Sequence, residues 1–295
     1  MISRKPRPRH AGGHYNSQRM KSEPASAAPP WPPKDLRNPH ALADKALRVR
    51  RMFAAIAKSY DLNNHLHSLG LDWHWRRVAV KLARINPTDV VADIACGTGD
   101  LTLAMARAGP RRVIGLDFCR PMLELAVAKL NRRTRGRSGA SSSPATDDAG
   151  RSRPRNGRVV FYQADALRLP LPDQSVDVVC IAFGIRNVAE WGRAIDEFYR
   201  VLKPAGRLLI LEFSLPQALW LRHLYNFYFR RVLPRTASLI SGDRTGAYQY
   251  LPASVNTFIS GEELSQRMRA AGFQKVFRRS LTGGICVCYR GVRVA

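Results

Sequence analysis

Apolar positions along this chain come in short runs, separated by stretches of a different period. "DVVADIA" (89–95), "RRVIGLDF" (111–118), "RVVFYQADA" (158–166), "VDVVCIAFGI" (176–185), "GRLLILEFS" (206–214) and "GICVCYRG" (284–291) are short, and several are apolar at consecutive positions. Runs of this kind read as strands buried on both faces. Between them the apolar residues recur at helical spacing: 100–108, "PMLELAVAKLNRR" (121–133), "WGRAIDEFYRVL" (191–202) and "ELSQRMRAAG" (263–272). Pro121 suits the first turn of its helix, where its missing N–H would have had no partner. Strands alternating with helices predict an α/β fold with a doubly wound, mainly parallel sheet. Ahead of it, "ALADKALRVRRMFAAIAKS" (41–59) predicts a separate helix.

No apolar run approaches the roughly 20 residues of a membrane-spanning helix. The five cysteines are odd in number and form no C-x-x-C pair, which argues for reduced thiols and no metal site. The formal charge of +26 changes the picture only after it is located. Residues 1–50 hold 11 Lys/Arg against 3 Asp/Glu, and residues 131–158 hold 8 Arg against 2 Asp. Both stretches are poor in aromatics and rich in Ser, Gly, Pro or Arg, a composition that does not fold. The expected organisation is a basic, Pro-rich disordered tail over 1–40 and one domain over 41–295, with a disordered basic insertion at 131–158. The prolines of "AAPPWPPKDLRNPH" disfavour the amphipathic helix of a mitochondrial leader, so a cytoplasmic chain is expected, with the mitochondrial matrix as the alternative.

The chemistry gathers where strands end. In a doubly wound sheet, ligands sit at the carboxyl ends of the strands near the switch point. "VVADIACGTGDLT" passes from a strand through Asp93, Gly97, Thr98, Gly99 and Asp100 into a helix. The third glycine of a dinucleotide fingerprint is missing, and Asp100 stands where a pyrophosphate would be repelled. A carboxylate-rich cradle suits a ligand with an amino end. Asp117 ends the next strand, 20 residues after Gly97, where it can accept from a ribose. Asp165 ends the third, where it can accept from an adenine amino group. Asp93, Asp117 and Asp165 together describe S-adenosyl-L-methionine. The competing reading, that each acid only caps a helix, is weakened by their recurrence at one strand position.

These residues sit within longer segments that resemble one family. "YDLNNHLHSLGLDWHWRR", "DIACGTGDLT", "FGIRNV", "YRVLKPAGRLLILEFS", "VLPRTASLISGDRTGAYQYLPASV" and "LTGGICVCYRG" are similar to the signatures of the class I methyltransferases that C-methylate the quinone ring in menaquinone and ubiquinone biosynthesis. The similarity covers roughly residues 48–292. It departs at Asn63, where the family has methionine, at Asp72, where it has histidine, and at Ala205, where its K-P-G-G run has glycine. The resemblance implies a Rossmann-like, mainly parallel seven-stranded sheet with an N-terminal helical cover. It implies cofactor contacts at Thr98, Asp117, Asp165 and Ala166, and a fifth at Ala182, where only the backbone can serve. The implied reaction is C-methylation of a polyprenyl quinol, demethylmenaquinol to menaquinol first, with the ubiquinone-pathway benzoquinol as alternative.

Such a reaction must ionise a phenol of pKa near 10 and align carbon, methyl and sulfur. "FGIRN" follows the fourth strand, so Arg186 is expected to stabilise the phenolate and Asn187 to orient the ring, with a structural ion pair as the competing role for Arg186. Tyr60 is the expected ring-placing residue of the cover; a packed core tyrosine is the alternative. His65 and His67 are not expected to act. "ALWLRHLYNFYFRRVLP" (218–234), aromatic and basic, could line a channel, lie on a membrane surface or pack as a lid. A peripheral membrane contact is expected on that basis, and the oligomeric state is left open, with a homodimer as one reading. RNA methylation is disfavoured: no "(D/N)PPY" run follows the fourth strand, and the basic regions lack interleaved aromatics.

Overall fold

The computed structural model describes residues 31–32, 34–138, 158–243 and 245–294. Five parallel strands, β1 (Val90–Ile94), β2 (Arg112–Asp117), β3 (Val159–Gln163), β4 (Val176–Ala182) and β5 (Leu202–Phe213), are joined at one edge by two more, β6 (Phe273–Leu281) and β7 (Cys286–Arg293). The order is β3-β2-β1-β4-β5-β7-β6, and β7 runs antiparallel to both its neighbours. β6, polar at most positions, had no apolar run to announce it. The strand order reverses between β1 and β4, so the switch point lies where Ile94 and Ala182 end.

Strand alternation splits the core into two layers. Ala92, Ile94, Leu116, Val179, Ile181 and Ile210 face α5 (Trp191–Val201) and α9 (Gly261–Ala270). Val91, Val113, Val178, Cys180 and Leu209 face α2 (Leu71–Ala83) and α3 (Asp100–Arg107). β5 opens earlier than its apolar run because the Lys203–Gly206 turn is absorbed as an irregularity between Val176 and Val178, with Ala205 at φ 61°.

The cover is larger than the predicted helix. α1 spans Lys45–His67 and packs its Met52 and Ile56 against α6 (Leu219–Phe227), α7 (Leu233–Ser241) and α8 (Ala247–Thr257) through Tyr225, Phe229, Leu233 and Tyr250. A five-residue π-helical turn, Tyr228–Val232, joins α6 to α7. Two expected boundaries move. Trp31 is buried and stacks on Tyr250 with ring centroids 4.4 Å apart, so the packed chain reaches back into the supposed tail. α4 runs Arg120–Ser138, so the first residues of the supposed insertion continue a helix. Residues 1–30 and 139–157, where the rest of both segments falls, lie outside the described residues.

Candidate active site

At the switch point β1 and β4 both end in unusual backbone. Ala95 (φ 50°) and Phe183 (φ 56°) are left-handed non-glycine residues. Strain of this kind costs roughly 1–3 kcal/mol and persists where surrounding structure enforces it. Gly184 makes the close approach feasible: a Cβ there would lie 2.7 Å from that of Ala95. The two loops border an open cleft roofed by one face of α1. Ala46, Val49, Phe53 and Tyr60 recur there at helical spacing.

The cleft brings together Tyr60, Gly97, Asp117, Asp165, Ala166, Ala182 and Asn187 of the expected site. Asp117 is buried; its oxygens accept from the N–H groups of Gly97 and Cys119, each at 2.7 Å. Burial pushes its carboxyl upward, and those N–H bonds only partly offset the rise. Asp165 stands exposed at the rim, accepting from Leu167 N–H at 2.9 Å. Asn187 donates to Phe183 O and accepts from the Tyr250 hydroxyl at 3.0 Å. Tyr60 meets Phe53 edge-on at 5.8 Å, and burial raises its phenol pKa.

Four expected residues are engaged with other parts of the protein. Asp93 lies beneath the loop, fully buried, and accepts from Thr102 Oγ1 at 2.6 Å. Burial pushes its pKa up to about 7. Thr98 donates its hydroxyl to Asp61 Oδ1 at 2.5 Å, and a Cβ on Gly99 would lie 3.1 Å from Cζ of Phe161. Arg186, expected beside the reacting ring, is 2% exposed and makes a close ion pair with Glu212 while donating to Phe183 O at 2.9 Å. Glu212 is the penultimate residue of the neighbouring strand, so a buried carboxylate claims the guanidinium before any phenolate can. The structure therefore assigns Arg186 a role in holding the Phe183–Asn187 loop.

The acid of the glycine loop is also committed. Lys129 bridges Asp100 (2.6 Å) and Asp61 (2.8 Å), tying α4 and α1 to the loop. Burial acts upward on Asp100, yet Lys129 and Arg76 together hold its pKa below the usual carboxylate value. So the cradle offers Asp117 and Asp165, not a carboxylate cluster. Asp72, the departure from the family's histidine, is buried and accepts from Ser68 Oγ and His65 Nδ1 at 2.9 Å each and from Arg76. His67 is engaged with Asn63 O and Thr236 Oγ1. Both histidines serve the cover.

Two contributors carry no motif in the sequence. Phe118 lines the cleft directly after Asp117, with the Arg50 guanidinium 5.3 Å above its ring. Lys45, buried at the start of α1, donates from Nζ to Arg186 O and Val188 O, both at 2.8 Å, and so grips the chain on either side of Asn187. Among the described residues no His, Cys, Asp and Glu cluster could hold a metal.

The site fits S-adenosyl-L-methionine on its own terms. A Cβ on Gly97 would meet nothing within 4 Å, so the backbone there is open to a ligand. Successive strand ends then present Asp117, Phe118, Asp165 and Ala166 along one wall. A mainly parallel doubly wound sheet with this cleft at its switch point is the fold of the class I S-adenosyl-L-methionine-dependent methyltransferases. A SAM-dependent methyltransferase from Thermotoga maritima shares the fold at a TM-score of 0.52 and 20% identity, over 83% of this chain and 99% of that one. Residues 41–293 match the ubiE/COQ5 methyltransferase family, and the chain belongs to it. It is 41% identical over 254 residues to the ubiquinone/menaquinone biosynthesis C-methyltransferase of Geobacter sulfurreducens, covering 85% of this chain and 91% of that protein. It is 43% identical over 243 residues to the demethylmenaquinone methyltransferase of Thermus thermophilus, covering 82% of this chain and all of that one.

Proposed function

We propose that this enzyme C-methylates the ring of a polyprenylated quinol, converting demethylmenaquinol to menaquinol. Full-length similarity to a demethylmenaquinone methyltransferase carries the reading. The Geobacter sulfurreducens relative, whose name covers both pathways, keeps the benzoquinol as the second substrate to test. When bound, S-adenosyl-L-methionine supplies an electrophilic methyl group.

The chain's part is to bind, orient and exclude water. Asp117 and Asp165 hold the nucleoside side of the cofactor, with Phe118 and Ala166 as apolar walls and the backbone of Ala182 beside them. Gly97 leaves room for close approach. Asn187, fixed by Tyr250 and Phe183 O, orients the ring, and Tyr60 and Phe53 place it from the cover. Alignment of this kind is a positioning contribution to rate. A polyprenyl tail implies peripheral contact with the membrane that holds the substrate.

The test is methyl transfer from labelled S-adenosyl-L-methionine to a 2-polyprenyl naphthoquinol and to a methoxy-polyprenyl benzoquinol, with Asp117→Ala and Asn187→Ala beside the wild type. Labelling of the naphthoquinol is expected. Asp117→Ala should weaken cofactor binding by about 10–100-fold in calorimetry, while Asn187→Ala should lower turnover with cofactor affinity intact. Cofactor binding without labelling of either ring would overturn the reading.

A further inference from the structure

One side of the cover carries far more exposed apolar surface than a solvated helix layer requires. On α6, Trp220, Leu224 and Phe227 share a helix face and all stand more than half exposed, Trp220 at 72%. At the end of α1, Leu62 and Leu66 project outward; Trp73 follows on α2. Between them Leu69 is 83% exposed, at the tip of a turn in which it is itself left-handed (φ 52°), followed by Gly70 at φ 74°. A leucine held in that conformation gains nothing from packing, so neither burial nor backbone preference accounts for it. The two groups of side chains are joined at His67, whose Nε2 meets Thr236 Oγ1 on α7 at 2.8 Å and whose carbonyl accepts from the Tyr228 hydroxyl at 3.3 Å.

The exposed charge on this face is predominantly basic, and the acids that border it beside Trp73 and Arg77, Asp61 and Asp100, are both held by Lys129. Arg77, Arg222, Arg230, Arg231 and Arg235 are exposed around the apolar tips. Residues 217–242 contain no Asp or Glu, and the single acid of residues 62–77, Asp72, is buried against Arg76. A symmetric second copy would bring ten such arginines together with no unpaired acid on the face to meet them. Apolar tips ringed by arginine fit a bilayer surface with anionic headgroups. We infer that the α1–α2 turn, α6 and α7 form a docking face for anionic lipid bilayer. This rests on the membrane contact proposed above and fixes where it occurs and which lipid it needs. The face is separated from the cleft by one aromatic layer: Tyr225 and Phe229, on the inner side, pack with Tyr250, which bonds Asn187.

The test is co-sedimentation of the full chain with phosphatidylcholine vesicles and with phosphatidylcholine–phosphatidylglycerol vesicles. Three proteins are compared: wild type, Leu69→Ser with Trp220→Ser, and Arg230→Ser with Arg231→Ser. Binding is expected only with phosphatidylglycerol. The double arginine variant should lose about 30-fold in affinity, since each arginine near an anionic surface is worth about fivefold. The apolar pair should bind at least tenfold more weakly, with melting temperature and cofactor affinity unchanged in both. Equal binding of the variants and the wild type would overturn the face, since it would assign attraction to the basic segments elsewhere in the chain. So would equal binding to both vesicles, or a dimer in light scattering that the same substitutions dissolve. A short-tailed, water-soluble quinol separates the readings: if no variant or wild type methylates it, the substrate is wrong, while the vesicle result still decides the face.

Discussion

Replacing Lys45 with methionine separates charge from contact at the loop that carries Asn187. Lys45 is 1% exposed, and among the described residues no carboxylate lies within ion-pair distance of it. Burial, then the nearby Arg186 guanidinium, lower its pKa from 10.5 to about 8. The sign follows from linkage. A cation whose pKa is lower in the folded state costs stability while charged, and that cost is relieved as pH rises from the folded value toward the unfolded one. At about 1.4 kcal/mol per unit, the full shift is worth about 3 kcal/mol. Between about pH 7.5 and about pH 9.5 the wild type should therefore gain about 2 kcal/mol relative to Lys45→Met. Near neutrality the variant leaves two carbonyls unpaired, at about 1–3 kcal/mol each, but sheds the buried charge, so its net cost should stay under about 3 kcal/mol. Urea unfolding of both proteins across that pH range reads the difference directly. Lys45 touches Arg186 and Val188 but none of the nucleoside-side residues, so turnover should fall while cofactor affinity holds. A stability difference that is flat in pH, or cofactor binding lost in step with turnover, would refute the assignment.

Three further outcomes follow from buried polar groups and backbone. Arg186→Met leaves Glu212 charged and uncompensated, so unfolding free energy should drop by about 3–5 kcal/mol, and adding Glu212→Leu should restore most of it; a double variant as unstable as the single would contradict the pairing. Asp93 keeps its proton to about pH 7 when folded, so wild-type stability should fall as pH rises from about 4 to 7, by on the order of 4 kcal/mol, relative to Asp93→Asn, checked by unfolding at several pH values. Ala205 is left-handed and exposed, so Ala205→Gly should stabilise by about 0.5–1 kcal/mol, the left-handed penalty less the entropy of glycine, read as a raised melting temperature.

The positions of the strands were legible because burial on both faces leaves apolar runs, and the switch point follows from their order. The aim of the acids is less legible, although strand period contains part of it. Asp93 shares a face with Val91, so alternation sends its carboxyl under the sheet toward Thr102 while the next strand's Asp117, its last residue, reaches the edge. Position at a strand end and direction at that end are separate facts, and only the second decides which acid meets a ligand. Arg186 teaches the same point from the opposite charge. "FGIRN" placed a cation near the reacting centre, yet "LLILEFS" places a carboxylate inside an apolar run, and a buried carboxylate needs a cation or many donors. With β4 and β5 adjacent, the demand of Glu212 falls on Arg186 first. An ionisable residue at the end of one buried strand cannot be given a catalytic role until the charges at the ends of its neighbours have been matched.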